Sequence, residues 1–230
     1  MNNTLNKIVI ILVVSFFTTL NAQKILFVGN SLTYSNNLPE ILEEIAENSE
    51  KKIKTKSLCF PNYAIIDHLN DGKLQKILDK EKFDYLVVQQ GPSSQTEGKK
   101  MLIEDGKVLK KICDQYNIKL VYFMVWTSKK WYETFDLVIE NHKIAAKKNN
   151  AMLFPVGEIW KKYNTFNKNE NLYDLDEFHP SKSGSFLAAL TMFSYLYPNE
   201  NLHLLKFSAY EKWIKDEDSF NLMIKLIKEN

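Results

Sequence analysis

Two short segments, one near each end of the chain, carry the residue types that a nucleophilic reaction needs. In the first, the apolar run 25–28 ends at a Gly-Asn-Ser segment, residues 29–31, so Ser31 follows a predicted strand directly. A Gly-Asn turn at a strand end exposes the serine without steric cost. In the second segment, Asp176 precedes His179 by three residues. A serine, a base and an orienting carboxylate together predict acyl transfer.

His179 is the best candidate for the general base among the four histidines of the sequence. His142 lies in a helical pattern and His203 has no acidic or nucleophilic neighbour. Pro180 disfavours a helical conformation at His179, which places this histidine on a loop. A carboxylate at Asp176 can then accept from Nδ1 and leave Nε2 free as the base. The alternative is that Asp176 only caps a turn and that His179 is merely exposed.

The elements that must position these residues alternate along the chain. The predicted strands are residues 24–28, 53–58, 85–89, 119–125 and 151–154. The predicted helices are residues 38–48, 73–80, 97–116, 135–148 and 181–197, followed by an amphipathic helix at 210–230. This pattern predicts an α/β fold, a three-layer α/β/α sandwich around a doubly wound, five-stranded parallel sheet of flavodoxin-like order 2-1-3-4-5. Ligands of such sheets bind beyond the carboxyl ends of the strands, where the loops of Ser31 and His179 can meet.

The two segments resemble the first and last sequence blocks of the SGNH (GDSL-like) hydrolase family. FVGNSLT is similar to the first block, with Gly-Asn-Ser where the commoner form is Gly-Asp-Ser, and DEFHP matches the D-x-x-H-P of the last. PNYAIIDHL and LVVQQGPSS stand where the family has its second and third blocks, both in degraded form. The resemblance covers nearly all of residues 23–230. It implies the SGNH hydrolase fold and a catalytic triad of Ser31, His179 and Asp176.

The resemblance also implies an oxyanion hole, in which two positions depart from the family pattern. The backbone N–H of Ser31 is one donor. Asn62 stands at the glycine position of the second block, and asparagine tolerates glycine-like dihedral angles. Ser93 stands at the asparagine position of the third block and has a shorter side chain. The other candidates for a third donor are the neighbouring polar residues Gln89, Gln90 and Ser94. With these departures, the sequence is compatible with an enzyme of reduced activity and also with a pseudoenzyme.

Residues 1–22 have the pattern of a secretory signal peptide. Lys7 is the positive residue, residues 8–20 form the apolar core, and a small-residue cleavage site ends at Ala22. We therefore expect an exported protein, periplasmic or extracellular, without stable membrane insertion after cleavage. An uncleaved anchor is the alternative. The remaining chain, residues 23–230, suits a single domain.

Charge and composition limit the partners and cofactors. The formal net charge is +2, and it becomes +1 without Lys7, which argues against a nucleic-acid partner. Cys59 and Cys113 match no metal or redox motif, and the sequence leaves their pairing open, with two buried thiols preferred. A metal site is disfavoured because no ligand spacing occurs among the residues considered for it, Asp67, His68, Asp174, Asp176 and His179. We expect neither a metal nor an organic cofactor.

The predicted function is a secreted serine esterase that acts on O-acyl esters, above all O-acetyl esters of carbohydrates. The family resemblance and the signal peptide favour this substrate class. Trp126, Trp131 and Tyr132 follow the fourth strand and form either an apolar or sugar-stacking wall or part of the core. The alternatives are a noncatalytic glycan-binding relative and a lipase or thioesterase with the same triad. The sequence leaves the oligomeric state open.

Overall fold

The fold is built on a five-stranded parallel sheet. The computed structural model describes residues 22–166 and 169–230. Its strands are β1 (Gln23–Gly29), β2 (Ile53–Cys59), β3 (Tyr85–Val88), β4 (Lys119–Phe123) and β5 (Met152–Phe154). The strand order is β2-β1-β3-β4-β5, and every neighbouring pair is parallel. The predicted fold class and strand order are confirmed. The predicted signal peptide lies outside the described residues, apart from Ala22.

Helices occupy most of the connections between the strands. They are α1 (Ser31–Tyr34), α2 (Leu38–Asn48), α3 (Ile65–Asn70), α4 (Lys73–Leu78), α5 (Thr96–Tyr116), α6 (Phe135–Lys148), α7 (Val156–Phe166), α8 (Lys182–Leu196) and α9 (Glu217–Lys228). The predicted bounds of α2 and α6 agree at both ends. The predicted helix 210–230 was wrong at its start, because the side chain of Asp216 caps the helix by accepting from the Ser219 N–H. The helices α1, α3 and α7 were not predicted.

Side chains alternate between two apolar layers, one on each face of the sheet. In β1, Ile25 and Phe27 belong to one layer, whereas Leu26 and Val28 belong to the other. The first layer includes residues from α2, α7, α8 and α9, and the second includes residues from α3, α4, α5 and α6. Cys59 packs against the first layer and Cys113 lies in the second, so the two thiols are free and separated by the sheet.

The strands end together at one edge of the sheet, and this register sets up the site. Val28 of β1 is paired with Val88 of β3, and Gly29 is paired with Cys59 of β2. The loops that follow β1, β2 and β3 therefore begin side by side. Among residues 22–166 and 169–230, no helix combines the length and apolar character needed to cross a membrane.

Candidate active site

The serine of the first segment sits at the start of a short helix. Asn30 adopts an extended conformation and caps α1, because its Oδ1 accepts a hydrogen bond from the Leu32 N–H at 3.1 Å. Ser31 is the first residue of that helix and is only partly buried. The strand end and the cap thus hold the Ser31 hydroxyl at the carboxyl edge of the sheet.

Position 29 needs glycine because there is no room for a side chain, and not because of its backbone conformation. Its φ does not lie in the left-handed region. A Cβ at this position would stand 2.5 Å from Oε1 of Gln89 and 2.8 Å from Oγ1 of Thr33. Since side-chain atoms cannot approach so closely, glycine lets Gln89 pack against the segment that carries Ser31.

Ser31, His179 and Asp176 lie in one hydrogen-bonded line. Nε2 of His179 is 2.9 Å from Oγ of Ser31, and Nδ1 of His179 is hydrogen-bonded to Oδ2 of Asp176. The other carboxylate oxygen accepts from the N–H groups of Phe178, at 3.0 Å, and His179, at 2.9 Å. The His179 bond, supported by these two, lowers the pKa of Asp176 from 3.8 to about 2. The carboxylate is therefore ionised at neutral pH and favours the tautomer with the proton on Nδ1.

Three contacts fix the loop that carries His179. Tyr173 and Pro180 form an isolated antiparallel bridge across it. The indole N–H of Trp126 donates to the Phe178 carbonyl at 2.9 Å, although Trp126 itself is buried in the core. Nδ2 of Asn36 donates to the Pro180 carbonyl at 2.8 Å. Because Asn36 lies just after α1, this bond ties the segment of Ser31 to the loop of His179.

Asn62 adopts a glycine-like backbone conformation. Its φ is 61°, in the left-handed region. The neighbouring residue Phe60 donates its N–H to the Gly29 carbonyl at 3.1 Å, which holds this loop against the end of β1. The N–H groups of Ser31 and Asn62 have no acceptor among residues 22–166 and 169–230. Both groups are free to donate to a ligand.

The side chains considered for the third donor are bonded to one another. Ser93 has a φ of 60°, and its hydroxyl donates to the Gly91 carbonyl at 2.8 Å. Nε2 of Gln90 donates to Oγ of Ser93 at 2.8 Å. Nε2 of Gln89 donates to Oδ1 of Asn30 and to the Gln90 carbonyl. Ser93 and Gln90 therefore reach an oxyanion only if these bonds rearrange, and their assignment as donors stays a prediction.

A cleft of about 670 Å³ adjoins the Asp176 side of this line. Its lining comes from the loops after β3 and β4 and from the His179 loop, and includes Ser93, Ser94, Ser128, Lys130, Trp131 and Phe178. The Trp131 side chain is 55% exposed, and its carbonyl accepts from the hydroxyls of Thr127 and Thr134. Trp126 instead stacks on Trp160 in the core. Tyr132 is partly buried against the core. Of the three predicted aromatic residues, Trp131 alone lines this cleft.

The remaining histidines and the cysteines are not placed for catalysis. Burial lowers the pKa of His142 to about 4, and its Nδ1 lies 2.8 Å from the Val138 carbonyl. His203 follows α8 at the surface. Burial raises the pKa of both cysteine thiols to about 12, so neither is a ready nucleophile. In the described part of the chain, no group of three or more His, Cys, Asp or Glu side chains could hold a metal ion.

Several residues that shape the site have no signal in a single sequence. Asn36 bonds across 144 residues to Pro180, and Asn141 donates from α6 to the Ser93 carbonyl at 2.9 Å. His68 is buried, and its Nε2 lies 2.9 Å from the Gly29 carbonyl. Each of these bonds joins distant segments, so only the folded chain reveals them.

Comparisons with known proteins agree with this architecture. No family model matches the chain, and neither does any curated protein. Among solved structures, a Slackia heliotrinireducens protein assigned to the SGNH hydrolases is 25% identical, covers 76% of this chain and 100% of its own, and has a TM-score of 0.65. A DUF4886 family protein from Bacteroides uniformis is 16% identical, covers 91% and 94%, and has a TM-score of 0.75. The acetyl xylan esterase AlAXEase is 18% identical, covers 75% and 99%, and has a TM-score of 0.59. The likeness to the whole Slackia protein, joined to the Gly-Asn-Ser and D-x-x-H-P segments, supports an SGNH (GDSL-like) hydrolase family for this chain, and its fold is that of these hydrolases.

Proposed function

We propose that this protein is a secreted serine esterase that hydrolyses O-acyl esters, with O-acetylated carbohydrates as its substrate class. The observation that carries the proposal is the 2.9 Å contact between Ser31 Oγ and His179 Nε2, with Asp176 bonded to the opposite nitrogen of the ring. A serine hydroxyl becomes a nucleophile when a neighbouring base removes its proton. These three side chains have the geometry for that transfer.

The acylation step uses all three residues. Nε2 of His179 takes the hydroxyl proton as Ser31 Oγ forms a bond to the ester carbonyl carbon. The Asp176 carboxylate stabilises the imidazolium that results. When the tetrahedral intermediate collapses, its bond to the alcohol oxygen breaks and Nε2 returns the proton to the leaving alcohol. The acyl group remains on Ser31.

Water completes the cycle by the same route. His179 takes a proton from water, whose oxygen attacks the acyl carbon, and then protonates Ser31 Oγ as the carboxylic acid leaves. In both steps the carbonyl oxygen becomes negative. The unpartnered N–H groups of Ser31 and Asn62 are the proposed donors to it, with Ser93 as the proposed third donor.

Support for a carbohydrate substrate comes from the cleft beside Asp176. An exposed indole next to several hydroxyl-bearing side chains suits a ligand with apolar ring faces and polar edges. The predicted signal peptide would deliver the protein to a compartment where glycans are accessible. A structurally similar protein is an acetyl xylan esterase, although at 18% identity that likeness concerns the fold.

The first test is hydrolysis of an activated acetyl ester by the purified protein beside Ser31→Ala and His179→Ala. We expect both variants to lose turnover by a factor of at least about 10³ and to remain folded, because both side chains are only partly buried. If either variant hydrolyses the ester as fast as the parent, the triad assignment is wrong. If the parent is active, acetylated oligosaccharides and long-chain esters are the next substrates to assay. Turnover of long-chain esters alone would identify a lipase or thioesterase.

A noncatalytic glycan-binding protein is the second candidate function. The observation that favours it is the Ser93 hydroxyl, which donates to the Gly91 carbonyl rather than into the site. Losing one oxyanion donor costs about 10²- to 10³-fold in rate. Calorimetry with acetylated and deacetylated oligosaccharides separates the candidates. Binding without turnover supports the second, and turnover that depends on Ser31 excludes it.

A further inference from the structure

The side-chain amide of Asn30 uses both its acceptor and its donor within the protein. Oδ1 accepts from the Leu32 N–H at 3.1 Å and from Nε2 of Gln89 at 3.0 Å. Nδ2 donates to the carbonyl of Tyr63 at 2.9 Å. The side chain is 7% exposed, so water cannot readily replace these partners. Asn30 thus joins the segments after β1, β2 and β3.

Gln89 bonds to both the backbone and the side chain of Asn30. Its Oε1 accepts from the Asn30 N–H at 2.9 Å and from the Thr33 hydroxyl at 2.8 Å. Its Nε2 donates to Asn30 Oδ1 and, at 2.7 Å, to the Gln90 carbonyl. Gln89 is 2% exposed. One hydrogen bond thus joins the two side-chain amides, and their further bonds to the backbone and to Thr33 fix the orientation of each.

The bond to Tyr63 matters because Tyr63 follows Asn62, the proposed oxyanion donor. On one side of Asn62, the Phe60 N–H donates to the Gly29 carbonyl. On the other side, the Tyr63 carbonyl accepts from Asn30. The Asn62 peptide is thereby bracketed by two bonds to the residues immediately before Ser31. His68, in the helix α3 that follows this loop, makes a third contact with Gly29.

We propose that Asn30 is a positioning residue that sets the Asn62 N–H relative to Ser31, and that aspartate cannot replace it. This inference rests on the proposed esterase function. An ionised aspartate can accept from Leu32 and Gln89 but has no hydrogen for the Tyr63 carbonyl. Its second oxygen would face that carbonyl oxygen in a buried place, where an unpaired charge is costly. The commoner Gly-Asp-Ser form of the first block is therefore unfavourable in this chain.

The test compares Asn30→Asp with Asn149→Asp. The control residue is 6% exposed, and its Nδ2 also donates to a backbone carbonyl, that of Ile103, at 3.0 Å. It precedes β5 at the opposite edge of the sheet. We expect both variants to lose stability. Only Asn30→Asp should lose kcat, by about 10- to 100-fold with KM within about twofold, which is less than the roughly 10²- to 10³-fold cost of losing a donor outright.

Asn30→Ser tests the same bond without adding a charge. Its hydroxyl can still cap Leu32 but is too short to replace the Nδ2 donor, so kcat should again fall about tenfold or more. Full kcat in either Asn30 variant, or an equal loss in Asn149→Asp, overturns the positioning role while leaving the esterase intact. If the parent shows no hydrolysis that depends on Ser31, the proposed function fails first, and the inference fails with it.

Hydrogen exchange gives a readout that does not depend on turnover. We expect the hydrogen-bonded backbone amides of Phe60, Tyr63 and Ala64 to exchange about tenfold or more faster in Asn30→Asp than in the parent, because the loop loses one of its anchors. Asn149→Asp should leave these amides unchanged. Exchange in this loop that stays at the parental rate in Asn30→Asp overturns the proposed contact.

Discussion

At the residue scale, Asp176 shows how an exposed carboxylate can still be held in one state. About half of its side chain faces solvent, yet it accepts hydrogen bonds from the imidazole and from two backbone N–H groups. These donors favour the charged form and lower the pKa of Asp176 to about 2. Asp176 therefore stays ionised well below neutral pH and remains an acceptor for the imidazole.

We expect Asp176→Asn to lower kcat by about 10²-fold or more, since the neutral amide no longer stabilises the imidazolium. The cost should stay below the roughly 10⁴-fold known for a buried triad aspartate.

Stability provides a second readout. A depressed pKa stabilises the folded state above the ordinary value of 3.8, and this contribution is lost as the pH falls towards 2.

The melting temperature of the parent should therefore exceed that of Asp176→Asn at about pH 6, and the difference should shrink between pH 4 and pH 2. The control is Asp174→Asn, on the same loop, where Oδ1 accepts from the Leu175 N–H. A parent and Asp176→Asn variant with the same pH dependence of stability would contradict the bonding of Asp176.

The predictability of the site also differs residue by residue. Ser31, Asp176 and His179 could be singled out as candidates because each stands in a short segment whose residue types imply a role, and the structure brings the three side chains together. The network of Gln89 was not, because its bonds to Asn30 and Thr33 depend on the pairing of Val28 with Val88. A sequence shows that Gln89 ends a strand, but the direction of its amide is decided by contacts across more than 50 residues.

At the scale of elements, the loop between β4 and α6 carries the clearest candidate for substrate selection. Trp131 is exposed, but its backbone is held, since its carbonyl accepts from Thr127 and Thr134. A preorganised aromatic ring binds a ligand without a large loss of conformational freedom. The loop therefore presents an exposed indole on a held backbone beside the proposed triad.

We expect Trp131→Ala to lower kcat/KM for an acetylated oligosaccharide about tenfold, equivalent to about 1.4 kcal/mol, because a stacking surface is lost. Hydrolysis of a small activated acetyl ester should change by less than about twofold. Leu204→Ala is the control, since Leu204 is also strongly exposed but does not line the cleft. Equal losses for the large and small esters would show that Trp131 supports the loop rather than the ligand.

The elements themselves were predictable where periodicity was long and the ends were marked. α2 and α6 span 11 and 14 residues, and their predicted bounds were correct. α3 has only six residues, too few for a periodic pattern to stand out. α7 begins two residues after β5, so no loop separates the strand pattern from the helix pattern. The capping role of Asp216 was also missed, which made the last predicted helix seven residues too long at its start.

At the scale of the whole molecule, the site depends on helices far from it. α8 is buried along most of its length, and α9 packs with α7 and α8 on the same face of the sheet. The His179 loop leads directly into α8, while Ser31 follows β1. The relative position of the two is therefore set by how this helical layer docks on the sheet.

This arrangement predicts that stability and activity are lost in one cooperative step. Phe220 of α9 is buried among Phe186, Phe207 and Tyr210. We expect Phe220→Ala to lower the free energy of unfolding by about 3–5 kcal/mol, because it leaves a cavity in the shared core. In urea, tryptophan fluorescence and esterase activity should then lose half their signal at the same, lower concentration.

The neighbouring exposed residue provides the control for that experiment. Asn221→Ala removes a solvent-facing side chain from the same turn of α9 and should leave both midpoints where the parent has them. If activity disappeared in Phe220→Ala at a urea concentration that left the fluorescence unchanged, the site would unfold apart from the core. Residues 23–230 would then not form the single domain that we predict. Coincident shifts would instead show that docking of the helical layer holds the His179 loop and Ser31 together.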